Sequence, residues 1–131
     1  MLPGQSLVTR GEPFQISINN IPGQPGEFAN FQIEVPEGKT LVITSASVRV
    51  RVPAGQAVQA ALSANGPPGV IVGTQYFVLA MQGTFGGFDI FTGNHSMLLW
   101  VGGGDAHFNF VRSDVAGLMS AEGSAIGFFL P

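Results

Sequence analysis

Cysteine is absent from this 131-residue chain, and lysine occurs once, at Lys39. Without cysteine there is no disulfide, no cysteine-bound zinc and no thiol nucleophile, and the redox compartment is left open. Charge is scarce too, at 10% of residues, with a net charge of −3; a typical soluble domain carries about 25%. Arg10, Arg49, Arg51 and Arg112 form no basic run, which excludes an electrostatic footprint for nucleic acid. No apolar run approaches the roughly 20 residues of a membrane span. The opening "MLPGQSLVTR" has neither the basic n-region nor the apolar core of a secretory signal.

A monomer in water normally relies on charge to cover its surface and stay soluble. The depletion therefore points to a surface covered by other subunits. The length is that of one domain, long enough to bury roughly two thirds of its unfolded surface.

What is present is alternation with period two, the signature of strands. In "PFQISIN" Phe14, Ile16 and Ile18 share a face, and in "FQIEV" Phe31, Ile33 and Val35 do. "SVRVRV" sets Val48, Val50 and Val52 against Arg49 and Arg51; "QAVQAAL" aligns Val58, Ala60 and Leu62. "HFNFVR" sends Phe108 and Phe110 inward and leaves His107 and Asn109 outward, while "SAIGFFL" is expected to bury Ile126, Phe128 and Leu130. Breakers rich in Gly and Pro separate these runs, namely "NNIPGQPGE", "NGPPG", "QGTFGG", "FTGN", "VGGGD" and "SDVAG". No window keeps a helical period. The expectation is an all-β, single-domain antiparallel β-sandwich, jelly-roll-like, of about eight to ten strands with almost no helix. Residues 1–27 read as N-terminal strands and a Pro/Gly loop placed to reach over a neighbouring subunit, and residues 28–131 as the sandwich core.

The motif V-P-x-G occurs twice, in "VPEG" from Val35 and "VPAG" from Val52. Proline second and glycine fourth is the pattern of a type I turn. Each copy precedes an alternating run, so the repeat is punctuation between strands.

Two stretches are apolar on both faces. "TQYFVLAMQ" has Tyr76 and Val78 opposite Phe77, Leu79 and Met81; "SMLLWVG" has Met97, Leu99 and Val101 opposite Leu98 and Trp100. Phe129 also opposes its inward neighbours. In an antiparallel sandwich such strands need cover on the outer face. Tyr76, Phe77, Leu79, Met81, Met97, Leu99, Trp100, Phe128 and Phe129 are therefore the candidate oligomer interface.

Chemical motifs are few. "VGGGDAH" lacks the lysine and helix of a phosphate loop and reads as a hairpin turn. His95 and His107, with Asp105 or Asp89 the nearest further ligands, show no diagnostic metal spacing. Loop oxygens around Asp89, Asn94 or Asp105 are only the raw material of a calcium site. The acids, scattered mainly through turns, show no glycosidase pair. Asp114 in "RSDVAG" is expected to bond backbone two residues ahead. No nucleophile elbow, catalytic triad or dinucleotide fingerprint occurs, so no catalytic, metal or cofactor-binding residue is assigned and the chain reads as non-enzymatic. Trp100 and Tyr76 are the only large rings with a polar handle. Asn94, Trp100 and Asn109 are the candidates for a second reading, a lectin-like module binding glycans.

The ending "GSAIGFFLP" resembles the closing strand of trimeric jelly rolls of the tumour-necrosis-factor and complement-C1q type. That resemblance implies a trimer with Phe128 and Phe129 near the axis. "VPEGKTLVITSASVRVRVPAG" with "VGGGDAHFNFVRSD" resembles a group of uncharacterised bacterial β-sandwich proteins whose sheet opens with V-P-x-G-K-x-L-V-I; it implies the fold and no activity. Together these features predict a structural protein, a self-associating, trimeric building block of a virion surface (capsid decoration), fibre or extracellular coat. Its expected partners are itself and other coat or capsid proteins, with no membrane insertion and no cofactor.

Overall fold

The computed structural model describes residues 12–18, 26–65, 71–102 and 104–130. The strands are β1 (Pro13–Ile18), β2 (Phe28–Glu34), β3 (Thr40–Pro53), β4 (Val58–Asn65), β5 (Ile71–Tyr76), β6 (Ala80–Phe85), β7 (Phe88–Gly102), β8 (Asp105–Arg112) and β9 (Ser120–Phe129). They form a five-stranded sheet in the order β1-β9-β3-β7-β6 and a four-stranded sheet in the order β2-β8-β4-β5. Every pairing is antiparallel. The pairs are nested: β1 with β9, β2 with β8, β3 with β7, β4 with β5. A long hairpin rolled up on itself has this order, which makes the sandwich a jelly roll with β6 added at one edge. Among the described residues there is no helix.

The core follows the alternation. Leu41, Ile43, Val48, Val50 and Val52 of β3 are fully or nearly fully buried, as are Ile33 of β2, Leu62 of β4, and Phe108 and Phe110 of β8. Each such side chain contributes about 1.5–3 kcal/mol on leaving water. The Phe108 and Phe110 rings stack, with centroids 6.3 Å apart and planes 8° apart. Phe14, Ile16 and Ile18 of the edge strand β1 pack on the core from one side.

Both V-P-x-G copies are turns between strands, shifted by one residue from the expected frame. Lys39 N–H donates to Pro36 O at 3.1 Å and Gln56 N–H to Pro53 O at 3.4 Å. Proline is thus first in each turn and glycine third, where Gly38 and Gly55 hold φ of +80° and +93°. Positive φ at the third position belongs to a type II turn, not type I, and glycine supplies it without a Cβ clash.

Four further expectations are corrected. "TQYFVLAMQ" is not one strand: β5 ends at Tyr76 in the four-stranded sheet and β6 begins at Ala80 in the other. Phe77–Leu79 carry the chain across, with Phe77 buried and Val78 exposed. "FTGN" is not a break but the middle of β7. Gly93 is needed there because the crossing lies against it; a Cβ would stand 3.1 Å from Val78 O. "VGGGD" does not close a hairpin, since β7 and β8 belong to different sheets.

Finally, β9 has the opposite phase. Its inward residues are Ala121, Gly123 and Ala125, all buried, while Ile126 is exposed. Inward positions are small because Phe108 occupies the space: a Cβ at Gly123 would stand 3.0 Å from Phe108 Cε1. Phe129 turns in, its ring meeting Phe14 edge-on at 5.4 Å. Of the N-terminal unit expected at 1–27, residues 1–11 and 19–25 lie outside the described residues.

Candidate functional site

The outer face of the five-stranded sheet divides into two parts, and strand register places each. Across β9, β3 and β7 one row reads Phe128, Val42, Trp100. Val42 is fully buried, yet it alternates with the core residues Leu41 and Ile43 and so points outward. Between Ile43 and Ser45 the register slips. This bulge sets Thr44 apart from the ladder, and its hydroxyl donates to Ile126 O at 3.3 Å. Leu98 and Ile126 flank the bulge, with 68% and 46% of their surface exposed; Trp100 is 52% exposed. Leu98, Trp100, Ile126 and Phe128 thus form a contiguous apolar area around a buried valine.

Along the same strands the face turns polar. Ser17, Ser124, Ser47 and Asn94 form a row across four strands, and the Ser47 and Ser124 hydroxyls bond at 2.7 Å. Beyond them Arg49 lies 3.7 Å from Glu122. A shallow trough of about 730 Å³ runs over this row, walled by Ile18 at one end and by Val78 and Ala80 at the other.

The opposite face, outside the four-stranded sheet, is a side-chain hydrogen-bond network. Asn30 Nδ2 donates to Asn109 Oδ1 at 2.7 Å, and Asn30 Oδ1 lies 3.0 Å from His107 Nδ1. Asn65 Nδ2 donates to Asp105 Oδ1 at 3.0 Å, Gln32 donates to the other Asp105 oxygen, and His107 Nε2 is 3.1 Å from Oδ1. Desolvation works against the Asp105 charge, but the bonds from Asn65 and Gln32 and the neighbouring His107 outweigh it. Its pKa is held below the ordinary carboxylate value. The network satisfies its own members.

The other candidates serve the fold. Asp89 is buried; its carboxylate accepts from the Thr84 hydroxyl at 2.5 Å and from Gly55 N–H at 2.9 Å, and these bonds lower its pKa in that order of effect. It ties the β6–β7 hairpin to the turn after β3. Asp114 accepts from Ala116 N–H at 3.1 Å, as expected. His95 stands edge-on to Phe77 at 5.7 Å and its Nε2 accepts from Val78 N–H. It lies on a different sheet from His107, and the two share no site. Among the described residues no group of three or more metal-ligating side chains occurs.

Of the candidate interface residues, Trp100 and Phe128 lie on the apolar outer area, and Tyr76 and Met81 are exposed on β5 and β6. Phe77 and Leu99 are buried in the chain's own core, and Leu79, Met97 and Phe129 pack against it. Leu98, Ile126 and Val42 belong to the area although they were not candidates. Opposition to inward neighbours signalled Leu98; for Ile126 that signal was masked by the misread phase of β9. Asn94 and Trp100 lie on one face of the sandwich and Asn109 on the other, so the glycan candidates do not converge. Arg112 gave no sequence signal at all. It is 2% exposed and donates to Gly26 O, Gln56 Oε1, Val115 O, Ala116 O and Gly117 O, holding the loop after β8 to two others.

No protein-family model matches this chain, and no curated protein sequence does. Solved structures are similar in fold. VP2 of the infectious bursal disease virus subviral particle superposes over 92% of this chain and 34% of its own, with a TM-score of 0.56 and 18% identity. Structures of the Gt and Gx strains of that virus align at 13% identity with TM-scores of 0.36 and 0.37, over 94% of this chain and 42% of theirs. The chain spans about a third of the length of that VP2 chain. The likeness establishes the jelly-roll β-sandwich.

Proposed function

We propose that this chain is a non-enzymatic structural protein, a self-associating jelly-roll building block of a virion surface or comparable coat. The observation that carries the reading is the apolar outer area formed by Leu98, Trp100, Ile126 and Phe128 around Val42. Lone exposed apolar residues are ordinary on a monomer, but a contiguous patch rimmed by polar groups marks an interaction surface. Here the polar rim is Gln15, Ser45 and Ser96, which flank Ile126 in its cross-strand row. The scarcity of charge agrees with a surface shared between copies, and the fold is one found in a protein of a subviral particle. The trimeric likeness of the closing strand adds a threefold arrangement, with the outward side chains of β9 nearest the axis.

Absolute mass by light scattering across a dilution series tests this reading. A mass of three or more chains that persists on dilution supports it, and a monomer at every concentration refutes it. Glycan binding is the second reading, favoured by the hydroxyl and amide row along the trough. It predicts chemical-shift changes at Ser47, Asn94 and Ser124 on titration with oligosaccharides.

A further inference from the structure

A single closed interface makes only a ring of copies; a continuous coat needs a second, different contact. The unpaired half of β7 has the chemistry for one. β6 pairs with β7 only from Phe88 to Thr92. The Phe77–Leu79 crossing covers the strand edge at Gly93, and Val78 N–H is taken by His95 Nε2 at 2.9 Å. From Ser96 to Val101, no described strand lies on that side; β3 occupies the other. A cleft of about 410 Å³ separates this edge from Gly73, Thr74 and Gln75 of β5, the open edge of the other sheet.

Natural edges are normally blunted with lysine, proline, inward charges or a covering element. "SMLLWV" holds no ionisable side chain and no proline, and among the described residues no strand covers this side of it. The stretch is also self-complementary. In an antiparallel pairing of two copies centred on Leu99, Leu98 of each copy faces Trp100 of the other on the outer face. On the inner face Leu99 stands opposite Leu99 and Met97 opposite Val101, side chains already packed in each chain's own core, so the outer pairs carry the gain. Such aliphatic and aromatic cross-strand pairs favour pairing, directly opposite one another as they would be, and no charge is desolvated.

We infer that the Ser96–Val101 edge of β7 pairs with the same edge of a second copy about a twofold axis, joining two five-stranded sheets into one. The inference rests on the self-association proposed above and adds a contact distinct from it: main-chain hydrogen bonds at the strand edge, not side-chain packing on the sheet face. It also accounts for the line of apolar residues running to this edge, since pairing makes the apolar outer areas of two copies continuous.

Amide hydrogen exchange on the full chain, at concentrations below and above the association midpoint found by light scattering, separates the two contacts. The prediction is that amides within Ser96–Val101 slow by at least about tenfold on association. Ser96→Pro, which removes one edge N–H at an exposed position, is expected to abolish that protection while leaving the monomer folded by circular dichroism. Association with unchanged exchange at Ser96–Val101 overturns the edge contact and leaves the face contact standing. A monomer at all concentrations overturns both and leaves the edge open to a foreign extended segment.

Discussion

The ring of Phe108 lies against Gly123 so closely that a Cβ at Gly123 would stand 3.0 Å from Cε1 and 3.1 Å from Cδ1. Phe108 belongs to the four-stranded sheet and Gly123 to the five-stranded one, so this contact sets how closely the two layers approach. Gly123→Ala is therefore an overpacking change, with an expected cost of about 1–3 kcal/mol. Urea unfolding checks it. The double variant Gly123→Ala, Phe108→Leu should lose less than the sum of the two single changes, because the smaller side chain vacates the space.

Arg112 is a buried cation whose hydrogen-bond acceptors are four backbone carbonyls and Gln56, with no carboxylate among them. Replacing it by methionine removes the donor to the part-buried carbonyls of Gly26, Val115 and Gly117 and to Gln56 Oε1, each loss costing about 1–3 kcal/mol where water does not replace it. The expected loss is about 3 kcal/mol or more in denaturant unfolding. Arg112→Lys should recover little of it, since an ammonium lacks the planar fork that reaches both loops. Full stability in Arg112→Met would contradict this role.

Alternation made β1, β2 and β8 legible because each has one buried and one more exposed face; it also picked out the inward residues of β3 and β4, although Val42, Ala61 and Ser63 on their outer faces are buried too. It failed where inward positions are small, as at Gly123 and Ala125, since the apolar pattern then lies on the outward residues Ile126 and Phe128. It failed again at Phe77–Leu79, where a chain crossing between sheets has the same composition as a strand, and at Gly93, whose glycine serves that crossing and not a turn. The apolar face was legible in part: Trp100 and Phe128 stood out, but Val42 and Ile126 belong to it only through the register of β3 and β9. Arg112 was invisible because its partners are main-chain atoms.

Asp89 and Asp105 both have pKa values lowered in the folded chain. A carboxylate with a folded-state pKa below its unfolded value stabilises the fold above the ordinary carboxylate range. That contribution is lost as pH falls through the folded pKa. The denaturant midpoint should thus drop as pH is taken below about 4. Asp89→Asn should lower the midpoint at neutral pH and flatten this acid dependence. An unchanged pH profile in that variant would argue against Asp89 as the ionised anchor of the Gly55 turn.

Lysine at Ile126 places a charge within the outer apolar area without touching the core, because Ile126 points away from it. Val115 is similarly exposed, at 55%, but lies in the loop between β8 and β9, which makes Val115→Lys the matched control. Both variants should unfold within about 0.5 kcal/mol of the wild type, as surface substitutions do.

The measurement that bears most directly on the central claim is the mass of these two variants beside the wild type, by sedimentation equilibrium over a concentration series. The expected result is the same oligomer for the wild type and for Val115→Lys, and for Ile126→Lys no assembly beyond the dimer that the β7 edge contact allows. An Ile126→Lys variant that assembles as strongly as the wild type would contradict the claim that this face holds the copies together.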